Sequence, residues 1–125
     1  MSDIDLTFRS LRRVNTMRCE NPRTHGGFGH NLRSWSVAEW TNAMAGEAGE
    51  ACNIAKKLIR YRDEMEFLNK GATWSELHTM LAEELADVVI YCDLIATSQG
   101  FVLEDLIRAK FNKDSERINS PFKLV

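Results

Sequence analysis

The spacing of apolar residues along the chain predicts helices and no strand. In four stretches, apolar side chains recur every three or four positions, which places them on one side of an α-helix. The predicted helices span residues 3–18, 37–62, 74–98 and 103–118. Four helices without a strand predict an all-α fold class, in the form of a small four-helix bundle.

Polar residues and glycine predict where these helices begin and end. The segments Ser36-Val37-Ala38-Glu39 and Thr73-Trp74-Ser75-Glu76 both have the capping-box pattern that starts a helix. Ser2 or Asp3 could cap the first helix in a simpler way. Gly100 follows the third apolar stretch, as expected for the residue after a helix C-terminus.

Two pairs of carboxylates interrupt the apolar sides of the second and third predicted helices. Glu47 lies within the apolar stripe of the second helix, and Glu50 follows one turn later. Glu84 lies within the stripe of the third helix, with Asp87 at the same spacing. Unpaired carboxylates on a core-facing side are disfavoured unless they are protonated, and a bound divalent cation removes that penalty. Because the ligands are all oxygens, Mg²⁺, Mn²⁺ or Ca²⁺ is favoured over zinc.

Length and composition narrow the class of protein. The 125 residues predict one domain over 1–125, and the net charge of −2 gives no electrostatic case for binding a nucleic-acid polymer. The cysteines Cys19, Cys52 and Cys92 form no Cys-x-x-Cys pair and are interpreted as reduced thiols of a cytoplasmic protein. No apolar run reaches the roughly 20 residues of a membrane span, so no membrane association is expected.

Basic and aromatic residues near the acidic helices suggest a ligand. Lys57 lies on nearly the same helix side as Glu50, which suits a phosphate contact. A basic row on the fourth helix contains Lys110, Lys113 and Arg117. The connection over residues 19–35 is long and contains Pro22 and several glycines, and we interpret it as a lid over a ligand.

Other catalytic schemes fit this sequence less well. Di-iron bundles supply Glu-x-x-His from two helices, and neither acidic pair here has a histidine at that spacing. The chain contains no P-loop pattern and no convincing set of nucleophile, base and orienting residue. Hard cations held by carboxylates, with lysines and arginines nearby, suit phosphate chemistry.

Three segments together resemble a known family. They are Gly46-Glu47-Ala48-Gly49-Glu50-Ala51, Glu83-Glu84-Leu85-Ala86-Asp87-Val88-Val89-Ile90-Tyr91 and Lys110-Phe111-Asn112-Lys113. The chain resembles the MazG-type nucleoside triphosphate pyrophosphohydrolases, all-α enzymes related to dimeric dUTPases and dCTP pyrophosphatase. The likeness covers about residues 34–118. One departure is Asp114, which stands where other members have an asparagine.

The resemblance implies an activity and an assembly. It implies a MazG-like bundle that oligomerises through helix packing, as a homodimer or homotetramer. It implies an enzyme that hydrolyses (deoxy)nucleoside triphosphates between the α- and β-phosphates, giving a nucleoside monophosphate and pyrophosphate. Mg²⁺, with Mn²⁺ as a possible substitute, would be held by Glu47, Glu50, Glu84 and Asp87.

The resemblance also implies individual roles. Glu47 or Glu50 would orient the attacking water, and Lys110, with Lys113 or Arg117, would contact phosphates. The candidates for base binding are His30, Trp35 and Trp40.

Two alternatives stay open from the sequence. One is a non-catalytic nucleotide-binding or interaction module with the same fold. The other is a purely structural bundle in which the acids pair with Lys56, Lys57 or Lys110. Base and sugar preference, the number of metals, the oligomer size and the physiological role are also open.

Overall fold

The computed structural model describes residues 3–125 and is all-helical over that range. Its helices are α1 (Phe8–Glu20), α2 (Val37–Arg62), α3 (Trp74–Ser98) and α4 (Leu103–Arg117), and short 3-10 helices lie at Arg23–His25 and Glu66–Asn69. No strand occurs in the described residues. The prediction of an all-α chain with four helices is confirmed.

The first helix begins later than the apolar spacing predicts. Thr7, and not Asp3, is its N-cap, and the alternative cap Ser2 lies outside the described residues. The Thr7 hydroxyl accepts a hydrogen bond from the Ser10 amide at 3.0 Å, and the Thr7 amide donates to the Ser10 hydroxyl at 2.8 Å. This reciprocal pair satisfies two amides that no helical carbonyl can reach, which is why the helix starts there. The predicted start was wrong because Ser10 stands in place of the usual Glu or Gln.

The third helix begins and ends where the sequence predicts. The Thr73 amide donates to Glu76 Oε2 at 3.0 Å, and the Glu76 amide donates to the Thr73 hydroxyl at 3.1 Å. At the other end Gly100 adopts a φ of 73°, which costs glycine little because it has no Cβ. The Phe101 amide then donates to the Ala96 carbonyl at 2.8 Å and closes the helix end.

The chain divides into two compact units. The first unit contains the described residues up to Val37 together with Asp93–Val125, and the second contains Ala38–Cys92. The buried apolar residues of the first unit include Cys19, Leu32, Leu94 and Ala96, and those of the second include Trp40, Ala51, Ile54 and Leu77. The prediction of a single domain over 1–125 stays a prediction.

The C-terminal tail is held against α4 by one asparagine. Asn112 Nδ2 donates to the Leu124 carbonyl, and the Leu124 amide donates to Asn112 Oδ1, both at 2.8 Å. Lys123 Nζ adds an ion pair with Glu116 at 2.9 Å. These contacts dock the tail on α4.

Large apolar side chains remain exposed on each of the four described helices. Leu85 and Val89 of α3 and Phe111 of α4 are each close to half exposed. Such residues are compatible with helix packing between copies, and the predicted oligomerisation stays a prediction.

No single described helix is long and apolar enough to cross a bilayer. Only α3 and α4 taken together reach the necessary length and apolar composition, and the chain bends by 107° at the break between them.

Candidate metal centre

Three of the predicted acids converge in the second unit. Glu47 and Glu50 lie one turn apart on α2, and Glu84 lies on α3. Each offers one carboxylate oxygen, and these three oxygens all lie within 4.8 Å of one another. The i, i+3 spacing brings the two α2 acids to one side, and the tertiary fold adds the third acid.

Glu84 is the most constrained member of this carboxylate cluster, by which we mean Glu47, Glu50 and Glu84. Its side chain is half-buried, and among the described residues Oε2 has neither solvent contact nor a hydrogen-bond partner. Burial first, and then the adjacent Glu47 and Glu50, raises the pKa of Glu84 from its ordinary 4.5 to about 7. Three carboxylates bring acceptors and no donor, so a shared proton or a cation is needed to satisfy Oε2.

The other two members differ in their access to solvent. Glu47 is half-buried, whereas Glu50 is exposed. A ligand oxygen or a water molecule can therefore approach the cluster from the side of Glu50. The cluster could therefore hold a cation that keeps some of its own water molecules.

Asp87 lies outside the carboxylate cluster. It follows Glu84 by one turn on α3, is exposed, and does not belong to the group of three whose oxygens converge within the described residues. The structure thus brings together three of the four predicted metal ligands. The role of Asp87 as a metal ligand stays a prediction.

The donor set of the cluster fits a hard divalent cation. The group found among the described residues contains only carboxylates, with no histidine or cysteine. Oxygen-only ligands suit Mg²⁺ or Mn²⁺, and Mg²⁺ keeps several waters when few protein ligands bind it. Two or three carboxylates are enough for such a partly hydrated cation.

Gly46 and Gly49, which flank Glu47 on α2, do not mark a helix contact. A Cβ added at either position would meet no other group within 4 Å in the described residues. No contact with a described residue therefore requires glycine at either position.

The predicted phosphate-binding residues lie in different surroundings. Lys57 is half-buried on α2, and its carbonyl accepts a hydrogen bond from Asn69 Nδ2 at 2.9 Å. Lys110 Nζ on α4 pairs with Asp114 at 2.6 Å, and Arg117 Nε lies 3.9 Å from the same carboxylate. Lys113 is exposed and forms no ion pair with a described residue. The residue that departs from the family pattern, Asp114, thus binds two of the predicted phosphate contacts.

The structural alternative requires ion pairs between lysines and the acids of the carboxylate cluster, and the described residues of the second unit form none. Neither Lys56 nor Lys57 forms an ion pair with Glu47, Glu50 or Glu84 in the described structure. The ion pairs that are present join residues outside the carboxylate cluster, and two of them use Arg108.

The predicted base-binding residues are divided between the two units. Trp40 belongs to the second unit and is only 2% exposed, with its ring centroid 6.4 Å from that of Tyr91. His30 and Trp35 belong to the first unit and contact each other edge to face, with centroids 4.3 Å apart. Trp40 is therefore a core residue here, and the two half-buried rings of the first unit are the more accessible candidates.

The connection predicted to be a lid is folded back on the end of α1. The Phe28 amide donates to the Arg18 carbonyl at 2.9 Å, and the His30 amide donates to the Cys19 carbonyl at 2.8 Å. The Cys19 thiol donates to the His30 carbonyl at 3.2 Å. These bonds place His30 in a defined loop, and the role of this loop as a lid stays a prediction.

Sequence reasoning missed a buried polar pair in the first unit. Asp93 is 2% exposed, and its Oδ2 accepts a hydrogen bond from Asn15 Nδ2 at 2.9 Å. The sequence does contain features that indicate this pair. Asp93 interrupts the apolar sequence that follows the second acidic pair, and Asn15 falls on the apolar side of α1.

Comparisons with models of protein families, with curated proteins and with solved structures found no match for this chain. The case for a function therefore depends on the residues and geometry described above.

Proposed function

We propose that this chain is a Mg²⁺-dependent nucleoside triphosphate pyrophosphohydrolase. It would hydrolyse (deoxy)nucleoside triphosphates between the α- and β-phosphates and release a nucleoside monophosphate and pyrophosphate. The resemblance of the three sequence segments to MazG-type enzymes supplies the reaction. The carboxylate cluster supplies the supporting chemistry.

The observation that carries the proposal is the buried oxygen Oε2 of Glu84, which has no hydrogen-bond partner among the described residues. An oxygen with neither solvent contact nor a hydrogen-bond donor, beside two further carboxylates, is costly in a purely structural role. A divalent cation would satisfy Oε2 and neutralise the repulsion among the three acids. This supports a metal-dependent reaction over a structural bundle.

The acids divide into two roles by exposure. Glu47 and Glu84, which are half-buried, are suited to hold the cation, and Asp87 would complete the set if it joins them. When bound, Mg²⁺ would neutralise phosphate oxygens and favour attack at phosphorus. Glu50, which is exposed, is suited to orient and deprotonate the attacking water.

The remaining predicted residues would bind the rest of the substrate. Lys57 on α2 would contact a phosphate beyond the cation. Lys110, Lys113 and Arg117 would contribute further charge, with Lys110 first leaving Asp114. His30 and Trp35 are the preferred aromatic candidates for the base. Assembly as a homodimer or homotetramer in the cytoplasm belongs to the same proposal.

The test is a panel of ribo- and deoxynucleoside triphosphates, each incubated with the chain with and without Mg²⁺, followed by separation of the products. The expected products are monophosphate and pyrophosphate, formed only with the metal. Diphosphate and orthophosphate would contradict the proposed cleavage position. Nucleotide binding with Mg²⁺ but without any turnover would favour the alternative, a non-catalytic binding module.

A further inference from the structure

The apolar side of α4 is left open by the rest of the described chain. Leu106 is 46% exposed, Ile107 39% and Phe111 45%. These residues recur at the three- and four-residue spacing that places them on one side of the helix. Ile118, directly after the helix, continues this side and is 65% exposed.

The opposite side of α4 is polar and is the side that the chain covers. Ser115 is the buried residue of this helix, and Arg108 and Asn112 are half-buried. Asn112 also holds the C-terminal tail through its two hydrogen bonds to Leu124. A surface helix of a monomer normally turns its apolar side inward, so the orientation of α4 is the reverse of that pattern. A partner outside the chain would explain it.

The open side of α4 contains one acid and one base. A shallow recess of about 410 Å³ is lined by Leu106, Ile107, Lys110, Phe111 and Asp114. Lys110 Nζ lies 2.6 Å from Asp114 Oδ1, and the two side chains are 69% and 43% exposed. A surface that covers this recess must therefore be apolar, and it must present one acid opposite Lys110 and one base opposite Asp114.

A second α4 in antiparallel orientation meets this requirement. If a two-fold axis passes through the open side at the level of residue 112, each Lys110 lies opposite Asp114 of the other copy, because the two residues are equally distant from the axis. Phe111 lies close to the axis and near its own counterpart, and Leu106 lies opposite the apolar Ile118. Such self-complementarity is what a two-fold interface between identical chains requires.

We propose that the open side of α4, meaning Leu106, Ile107, Lys110, Phe111, Asp114 and Ile118, binds the same side of α4 in a second copy of this chain. Lys110 and Asp114 exchange their pairing within the chain for two symmetric pairs between chains. This inference makes specific the assembly that belongs to the proposed function. Its tests need neither nucleotide nor Mg²⁺, so the interface and the enzyme activity can fail separately.

The first experiment measures the molar mass of the full chain by sedimentation over a range of concentrations at low ionic strength, where charge pairs are least screened. The original chain should form dimers or larger even-numbered assemblies. Lys110→Glu leaves only acids at the two charged positions of this side, and Asp114→Lys leaves only bases. Each variant alone should halve the number of copies per particle or raise the dissociation constant by about tenfold or more, because two symmetric attractions become repulsions.

Mixing these two variants in equal amounts is the decisive step. The acidic side of one variant complements the basic side of the other, so the mixture should recover the mass of the original assembly as mixed particles. An effect of the charges within one chain cannot be reversed by adding a second chain. Lys56→Glu, the same charge change at an exposed position of α2, is the control and should leave the assembly unchanged.

Apolar substitutions test the other part of the interface. Replacing both Ile107 and Phe111 with glutamine should dissociate the assembly while circular dichroism shows unchanged helix content, since both side chains are exposed in the single chain. Ile59→Gln, at a position of α2 that is 47% exposed, is the matched control and should have no effect. A monomeric original chain, or an assembly that survives the α4 variants, would overturn the proposal. Failure of the two charge variants to associate when mixed would also overturn it.

Discussion

Two acids on the same helix have opposite surroundings. Glu84 and Asp93 both lie on α3, and burial is the first cause of a raised pKa in each. Glu84 has two further carboxylates beside it and no donor for Oε2 in the described structure. Asp93 has the Asn15 amide at 2.9 Å and the positive charge of Arg12. Asp93 is the more buried of the two, yet it is the better satisfied.

This comparison shows that the groups around a buried carboxylate, and not its burial alone, distinguish a ligand site from a structural polar pair. Like charges around a carboxylate store repulsion that only a proton or a cation removes. A neutral amide donor satisfies a carboxylate without that requirement. The two regions should therefore respond differently to substitution, to added metal and to pH.

The largest expected effect is on turnover when Glu50 is changed. Glu50→Gln keeps the size of the side chain but loses the base that orients the water, so kcat should fall by about 10²–10⁴-fold. The measurement is the rate of pyrophosphate release from the preferred triphosphate with Mg²⁺. The matched control is Glu83→Gln, an exposed acid next to Glu84 that is outside the cluster, and its rate should be unchanged. Equal losses in both variants would refute the assignment of Glu50.

The next effect is on stability when the Asp93 pair is broken. Asn15→Ala removes the amide from Asp93 Oδ2 and leaves a buried carboxylate oxygen without its donor, which should cost roughly 1–3 kcal/mol in the free energy of unfolding. Urea denaturation measures this cost. Asn53→Ala, at an exposed position of α2, is the control and should change little. A cost near zero for Asn15→Ala would mean that Asp93 is not held by this bond in solution.

The smallest effect concerns proton and metal competition at Glu84. Because its pKa is raised from 4.5 to about 7, its proton stabilises the metal-free fold below about pH 4.5, and this stabilisation is lost as the pH rises through about 7. A cation must displace that proton, so Mg²⁺ affinity should fall by up to about tenfold per pH unit below pH 7. Titrations with Mg²⁺ at several pH values, followed by thermal unfolding, measure both trends.

The variant Glu84→Gln separates this titration from other pH effects. It should flatten the pH dependence of metal-free stability over that window and abolish the gain in stability on adding Mg²⁺. If Glu84→Gln keeps the same pH dependence as the original chain, the shared-proton description of the cluster is wrong.

Local sequence determined the helices and most of their ends. The capping pair Thr73 and Glu76 and the left-handed Gly100 involve residues a few positions apart, so their chemistry can be interpreted without the fold. The one wrong start, at α1, also had a local cause, because Ser10 takes the part of an acid in the capping box. The i, i+3 spacing likewise predicted that Glu47 and Glu50 share a helix side.

Tertiary structure alone decided which acids meet. Glu84 joins Glu47 and Glu50 while Asp87, equally spaced in sequence, stays outside the group, and Asn15 meets Asp93 across 78 positions of the chain. Helical periodicity specifies the side of a helix on which a residue lies. It does not specify how far two helices are rotated or shifted against each other, and a carboxylate a single turn away misses a common ligand by several ångströms. That relative placement comes from the packing of the whole core, which no local pattern contains.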